Sequence, residues 1–244
     1  MIRNNRTIPV NDVRFLIFDL DGTLVDSRID LANSVNAMLR HYGKPELPND
    51  VIASYIGNGA PMLVRRSLGD PDDETYVHEA VVYFMEYYRA HKLDTTYVYS
   101  GIREALDFFH AAHNGGSAGR MKMAVLSNKP VGPSKSIVKE LGLGQYFFQV
   151  YGGNSFHTKK PDPAGVEALL AEAGARAEQT VIIGDSDIDI ITARNAGAYS
   201  IGVTYGLAPH TLEDAPPDVL VDQPQELPVV LGPREQARLT LRAE

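Results

Sequence analysis

The 244-residue chain has no cysteine. That absence excludes disulfides, thiolate zinc centres and cysteine nucleophiles together, and leaves oxygen and imidazole as ligands for any metal. None of the seven histidines shows a spacing such as H-x-x-x-H with a partner acid, so oxygen is the expected donor. Positive charge is also scarce: 23 Lys and Arg stand against 31 Asp and Glu, a formal net charge of -8. A chain so charged repels a phosphate backbone, and no nucleic-acid partner is expected. Long apolar runs are missing, and "MIRNNRTIPVND" has neither an apolar core nor a cleavage-like site. No membrane span, membrane partner or signal peptide is therefore expected, and the expected compartment is the cytoplasm.

What is present suits a sizeable core. With 44% hydrophobic residues the length fits one large domain, or one domain carrying an insertion. Near-continuous apolar runs of strand length recur at 13–18, 121–126, 147–151, 181–183 and 200–203. Runs of that kind fit strands buried on both faces. Between them lie helical faces: Ile102, Ala105, Leu106 and Phe109 in one stretch, Val166, Leu169, Leu170 and Ala173 in another. The alternation predicts an α/β protein with a parallel sheet covered on both sides. Residues 28–95 break it, with helical patterns at Ile29, Val35, Met38 and Leu39 and again in "VVYFMEYYRAHKL". They read as a helical insertion. "HNGGSAGR" reads as a flexible loop, and the residues after Gly232 as a charged tail.

The chemistry gathers where apolar runs end in polar groups. In "RFLIFDLDGTLVDS", Asp19 and Asp21 are two residues apart, so in an extended chain they point the same way, and Gly22 permits a sharp turn after them. "AVLSN" ends at Ser127 and Asn128, and "VIIGDSDID" ends at Asp185 and Asp189. Ligands of an open parallel sheet bind beyond the carboxyl ends of its strands. One edge should therefore collect Asp19, Asp21, Thr23, Ser127, Asn128, Asp185 and Asp189. Carboxylates so crowded repel unless a cation neutralises them, and oxygen ligands select a hard ion, so magnesium is the expected cofactor. "TKKPDP" adds Lys160, a point charge for a phosphate oxygen and for an attacking carboxylate. The set then reads as phosphoryl transfer: Asp19 the nucleophile, Asp21 the acid/base, Ser127 and Asn128 the donors, Lys160 the cation, Asp185 the metal holder.

"FDLDGT", the strand ending at Ser127, Lys160 before "PDP" and "GDSDID" together resemble the four motifs of the haloacid dehalogenase-like superfamily, over the chain to about Asp222. Within it, "YIGNGA", "SNKP", "TKKPDP" and "VTYG" are most similar to bacterial phosphoglycolate phosphatases. The resemblance implies a Rossmann-like core over 1–26 and 96–232, a helical cap over 27–95, the tail 233–244 lying outside both, and an aspartyl-phosphate intermediate. It also implies that Asp19 is nucleophile and metal ligand, and that Asp21 binds magnesium through its carbonyl while its side chain moves the proton. Ser127 and Lys160 would hold the phosphoryl group, Asp185 the metal, and Asp189 would support the site. The implied substrate is a small phosphorylated metabolite, 2-phosphoglycolate first. A related phosphohydrolase or mutase acting on pyrophosphate, a nucleotide or a sugar phosphate is the enzymatic alternative, and a silent phosphometabolite-binding module the non-enzymatic one. An acid at Asp21 points away from dehalogenation and phosphonate cleavage. Three departures stand out: Asn154 where relatives often carry an acid, Ser127 for the commoner threonine, and a longer stretch before the second strand.

Blander readings compete at several positions. Asp187 and Asp189 also suit a helix start, and Tyr83, Phe84, Tyr87 and Tyr88 suit packing within the cap. Asn58 and Arg66 are the expected substrate contacts from the cap, Arg66 for its fit to a carboxylate, although surface arginines usually stay solvated. The sequence does not fix the oligomeric state.

Overall fold

The computed structural model describes residues 2–111 and 121–232. The expected flexible loop "HNGGSAGR" and charged tail lie outside them. Among the described residues the main sheet has seven strands: β1 Arg3–Asn4, β2 Phe15–Phe18, β5 Lys122–Leu126, β6 Gln149–Tyr151, β7 Thr180–Gly184, β8 Tyr199–Val203 and β9 Val219–Val221. Their order is β1-β9-β8-β7-β2-β5-β6, all parallel except the β1 edge. The five expected strands are present within a few residues. β1 and β9 escaped the sequence reading because runs of two and three residues show no period.

The alternation within β2 explains the layers. Leu16 and Phe18 join the apolar cluster that includes Ile102, Leu106 and Phe109 of α5 (Ile102–Ala111) and Ile137 of α6 (Val131–Glu140). Phe15 and Ile17 face the opposite cluster, with Val166 and Leu169 of α7 (Ala164–Ala173) and Ala193 of α8 (Asp187–Asn195). Both faces of the strand are thus covered by helices, the arrangement that a parallel sheet requires.

Residues 28–91 supply four helices: α1 Arg28–His41, α2 Asn49–Ala53, α3 Ala60–Ser67 and α4 Glu74–His91. They share a separate apolar cluster that includes Leu31, Val35, Met38, Leu39, Ile52, Leu63, Phe84 and Tyr88. Ile29, expected on the buried face of α1, is 41% exposed, and Leu31 packs inward instead. The chain leaves the sheet and returns through an antiparallel ribbon, β3 Val25–Asp26 against β4 Tyr97–Val98. Buried Asp30 fastens this junction by accepting from the backbone and hydroxyl groups of both Thr95 and Thr96. Burial works to raise its pKa, but these hydrogen bonds prevail and hold it below the usual carboxylate range.

Candidate active site

Strand register assembles the site. Phe18 of β2 lies opposite Val125 of β5 and Ile183 of β7, so the three strands end level with one another. Asp19, Ser127 and Asp185 leave these ends within a residue or two. From β2 the chain passes to β5 and β6 on one side and then crosses to β7 on the other, which opens a crevice at this edge. A cleft of about 700 Å³, counting its open mouth, occupies the position. Its sheet side includes Asp19, Asp21, Ser127, Asn128, Lys160, Asp185 and Asp189, and its helical side Leu31, Ile56, Leu63, Phe84, Met85 and Tyr88.

Lys160 is the electrostatic centre. Its ammonium donates to Asp19 Oδ1 at 2.7 Å and to Asp189 Oδ1 at 2.5 Å, with its own side chain 4% exposed. Burial alone would lower its pKa, but Asp189 and Asp19 outweigh that and raise it, so it stays charged. The other oxygen of Asp189 accepts from the Ser186 amide and hydroxyl, so its carboxylate spans the Lys160 ammonium and the start of α8. Asp19 is pushed up to about 6, chiefly by burial, with Lys160 opposing and Asp189 adding to the rise. Asp185 is pushed up to about 8 by burial, then by repulsion from Asp189 and Asp19. Asp185 Oδ2 accepts from the Leu207 and Ala208 amides, while fully buried Thr23 reaches Oδ1 at 3.5 Å.

Asp19, Asp185 and Asp189 each bring a carboxylate oxygen within 4.8 Å of the others, all buried. One ammonium cannot neutralise three acids, and a hard cation fits this all-oxygen donor set. Asp189 is tied on both oxygens by short bonds to Lys160 and Ser186, whereas Thr23 reaches Asp185 Oδ1 only at 3.5 Å and Lys160 engages Asp19 at Oδ1, which leaves Asp19 and Asp185 as the better carboxylate ligands. Close packing guards the place: a Cβ on Gly22, whose φ is +88°, would lie 2.2 Å from Asp185 Oδ2. Gly22→Ala should therefore displace Asp185 as well as carry the left-handed penalty of about 1–2 kcal/mol. A magnesium titration followed by a thermal melt should show weaker binding and a lower Tm; an unchanged titration would mean that Asp185 does not hold the ion.

The remaining expected residues are distributed less simply. Ser127, 4% exposed, accepts from the Lys129 amide at 3.3 Å, so its hydroxyl proton is available to a phosphoryl oxygen. Donation from Asn128 to a phosphoryl group falls to its backbone N–H, because the side-chain amide is engaged: its protons go to the Gly57 and Lys160 carbonyls, and Oδ1 only accepts. It ties the 57–59 turn to the Lys160 loop, a tie that Lys159 reinforces by donating to the Asn58 carbonyl at 2.7 Å. Gly59 belongs to that turn, and a Cβ there would meet the Asn128 carbonyl at 2.9 Å. The side chains expected to read the substrate are elsewhere. Neither Asn58 nor Arg66 lines the cleft; Arg66 donates to the Tyr55 carbonyl. Asn154, the departure noted in the sequence, accepts from the Val131 amide at the start of α6.

One participant was missed altogether. Lys129, in "SNKP", donates to both oxygens of Asp21 at 3.0 Å, and its side chain is 5% exposed. Ser27 also donates to Asp21. From the helical side Tyr88 lays its ring 4.5 Å from the Lys129 ammonium. A lysine in a turn reads as solvated, and only contacts distant in sequence bury this one.

The model of the haloacid dehalogenase-like hydrolases matches residues 16–203, most of the described chain. The chain belongs to that family. It is 37% identical over 198 residues to a phosphoglycolate phosphatase of Pseudomonas syringae pv. tomato, covering 79% of this chain and 70% of that one. It is 33% identical over 222 residues to a phosphoglycolate phosphatase of Photobacterium profundum, covering 88% and 94%. A solved structure described as a predicted phosphoglycolate phosphatase of Haemophilus somnus superposes with a TM-score of 0.80 at 28% identity, covering 88% of this chain and 96% of that one. The protein is thus an enzyme of phosphatase type with the α/β core and helical cap of its family. No helix among the described residues is long and apolar enough to cross a membrane.

Proposed function

We propose that the protein is a magnesium-dependent phosphatase that hydrolyses 2-phosphoglycolate through an aspartyl-phosphate on Asp19. The observation that carries the reading is the Lys160 ammonium shared between Asp19 and Asp189 at the level strand ends. A cation so placed holds the nucleophile in position and is available to the incoming phosphoryl oxygens. An Asp19 oxygen attacks phosphorus and the ester P–O bond breaks, while Asp21 gives its proton to the departing alkoxide. Water then attacks the acyl phosphate, gives a proton back to Asp21, and releases Asp19 and inorganic phosphate. The Ser127 hydroxyl and Lys160 hold the phosphoryl group through both steps. Asp19 and Asp185, with the Asp21 carbonyl, would hold magnesium, which supplies charge neutralisation on the transferring group.

Residues 27–95 act in this reading as a cap on a core formed by 1–26 and 96–232. Their separate apolar cluster and the ribbon at Val25–Asp26 and Tyr97–Val98 support that division. A cytoplasmic setting and a small metabolite as partner, rather than nucleic acid or membrane, complete the proposal. The names of the relatives support 2-phosphoglycolate. A substrate panel tests it: 2-phosphoglycolate should show the highest kcat/KM, and phosphate release should stop on chelation and return with magnesium. Pyrophosphate, a nucleotide or a sugar phosphate leading the panel would replace the substrate. Release of phosphate from no member of the panel, p-nitrophenyl phosphate included, would leave only a binding module.

A further inference from the structure

The proposed substrate carries a carboxylate besides its phosphate, and the cap wall of the cleft offers it no charge. Leu31, Ile56, Leu63, Phe84 and Met85 are apolar, and Arg66 lies elsewhere. Besides Lys160, Lys129 is the cation lining the cleft among the described residues. Its ammonium has three protons. Asp21 engages one side of it and the Tyr88 ring another, and its side chain is nearly buried. Beside it the Tyr88 hydroxyl, buried on a residue 1% exposed that itself lines the cleft, has the Lys129 ammonium as its polar neighbour and forms no well-aligned hydrogen bond. A buried hydroxyl left unmatched costs stability unless a ligand satisfies it.

We infer that Lys129 and Tyr88 form a carboxylate subsite, Lys129 supplying charge from the core and Tyr88 an O–H from α4 of the cap, and that this subsite selects acidic phosphate esters. The inference rests on the 2-phosphoglycolate reading. The subsite lies beside the acid/base, since Lys129 contacts Asp21, two residues from the nucleophile. A short substrate with phosphate against Asp19 and Lys160 therefore presents its carboxylate to Lys129 without having to cross the cleft. It also explains how an apolar cap discriminates: Tyr88 reaches the ligand only when the cap is in place, so recognition and closure occur together.

The test uses the full-length protein and two inert ligands, 3-phosphonopropionate, which has the carboxylate, and propylphosphonate, which lacks it. Wild type should bind the first at least about tenfold more tightly, the value of a hydrogen bond to a charged group. The ratio of the two affinities reads the carboxylate; because Lys129→Met also strips Asp21 of its cation, and an unpaired Asp21 itself repels a carboxylate, Tyr88→Phe, which leaves that ion pair intact, is the decisive variant. That ratio should fall towards one in Lys129→Met and by several-fold in Tyr88→Phe, which keeps the ring and the packing. A wild-type preference that survives both substitutions would overturn the subsite while leaving the substrate reading standing. Equal binding of both ligands by wild type would overturn the substrate reading, and the subsite with it.

Discussion

Asp19→Asn is expected to abolish turnover on every phosphate ester while the protein stays folded. The amide keeps the size of the carboxylate and one acceptor, but it is too weak a nucleophile to form the acyl phosphate. Phosphate-monoester hydrolysis is among the slowest uncatalysed reactions, with enzymatic accelerations reaching roughly 10²¹, so loss of the covalent step should leave no activity above background. Stability should not fall with it. Asp19 is buried against Asp189 and near Asp185, and burial already disfavours its charged form. Removing one of three crowded carboxylates relieves repulsion, and Lys160 keeps its bond to Asp189. Tm in magnesium-free buffer should equal or exceed that of wild type. A purified variant that turns over like wild type would end the assignment of Asp19.

Asp21→Asn should produce a loss that depends on the leaving group. Alkoxides leave poorly unless protonated, and general acid catalysis is typically worth about 10² to 10⁴ in rate. A loss of that size is expected with 2-phosphoglycolate, and a distinctly smaller one with p-nitrophenyl phosphate, whose phenolate departs unaided. In the structure the Asp21 carboxylate is held by Ser27 and Lys129, so it has a defined position from which to act. The amide oxygen can still accept from Ser27 and Lys129, but the NH2 replaces the second oxygen that Lys129 engages, so the ion pair is lost while the side chain keeps its size. Equal losses on the two esters would reduce Asp21 to a structural group.

These two residues were legible from sequence because strand geometry alone places them: an apolar run buried on both faces, acids at i and i+2, a glycine turn. Asp185 and Ser127 follow from the same rule applied to β7 and β5, and register then brings them level. Lys160 could be read as a charge but not as a bridge, because its two partners lie 141 and 29 residues away. Lys129 and Tyr88 stayed hidden for a similar reason. Their meeting depends on how α4 lies against the sheet edge, and no local period records that. The aromatic stripe shows the mixture well: Tyr83 stacks on His41 and Tyr87 on His91, whereas Phe84 and Tyr88 are buried in the cap cluster and also line the cleft. Packing within the cap was the right reading for the first pair and half of the answer for the second. Asn58 and Arg66 failed as cleft residues because a turn asparagine and a helix arginine show composition but not direction. The turn meets the core through its backbone, and Arg66 is engaged by Tyr55.

The covalent intermediate is the central claim, and chemical trapping tests it most directly. Enzyme mixed with 2-phosphoglycolate and magnesium, quenched and reduced with borohydride, should carry homoserine in place of Asp19 in the peptide "FLIFDLDGTLVD", read by mass spectrometry. The conversion should require both substrate and magnesium. Reduction at another carboxylate, or an unmodified peptide from an enzyme that is turning over under the same conditions, would contradict the account.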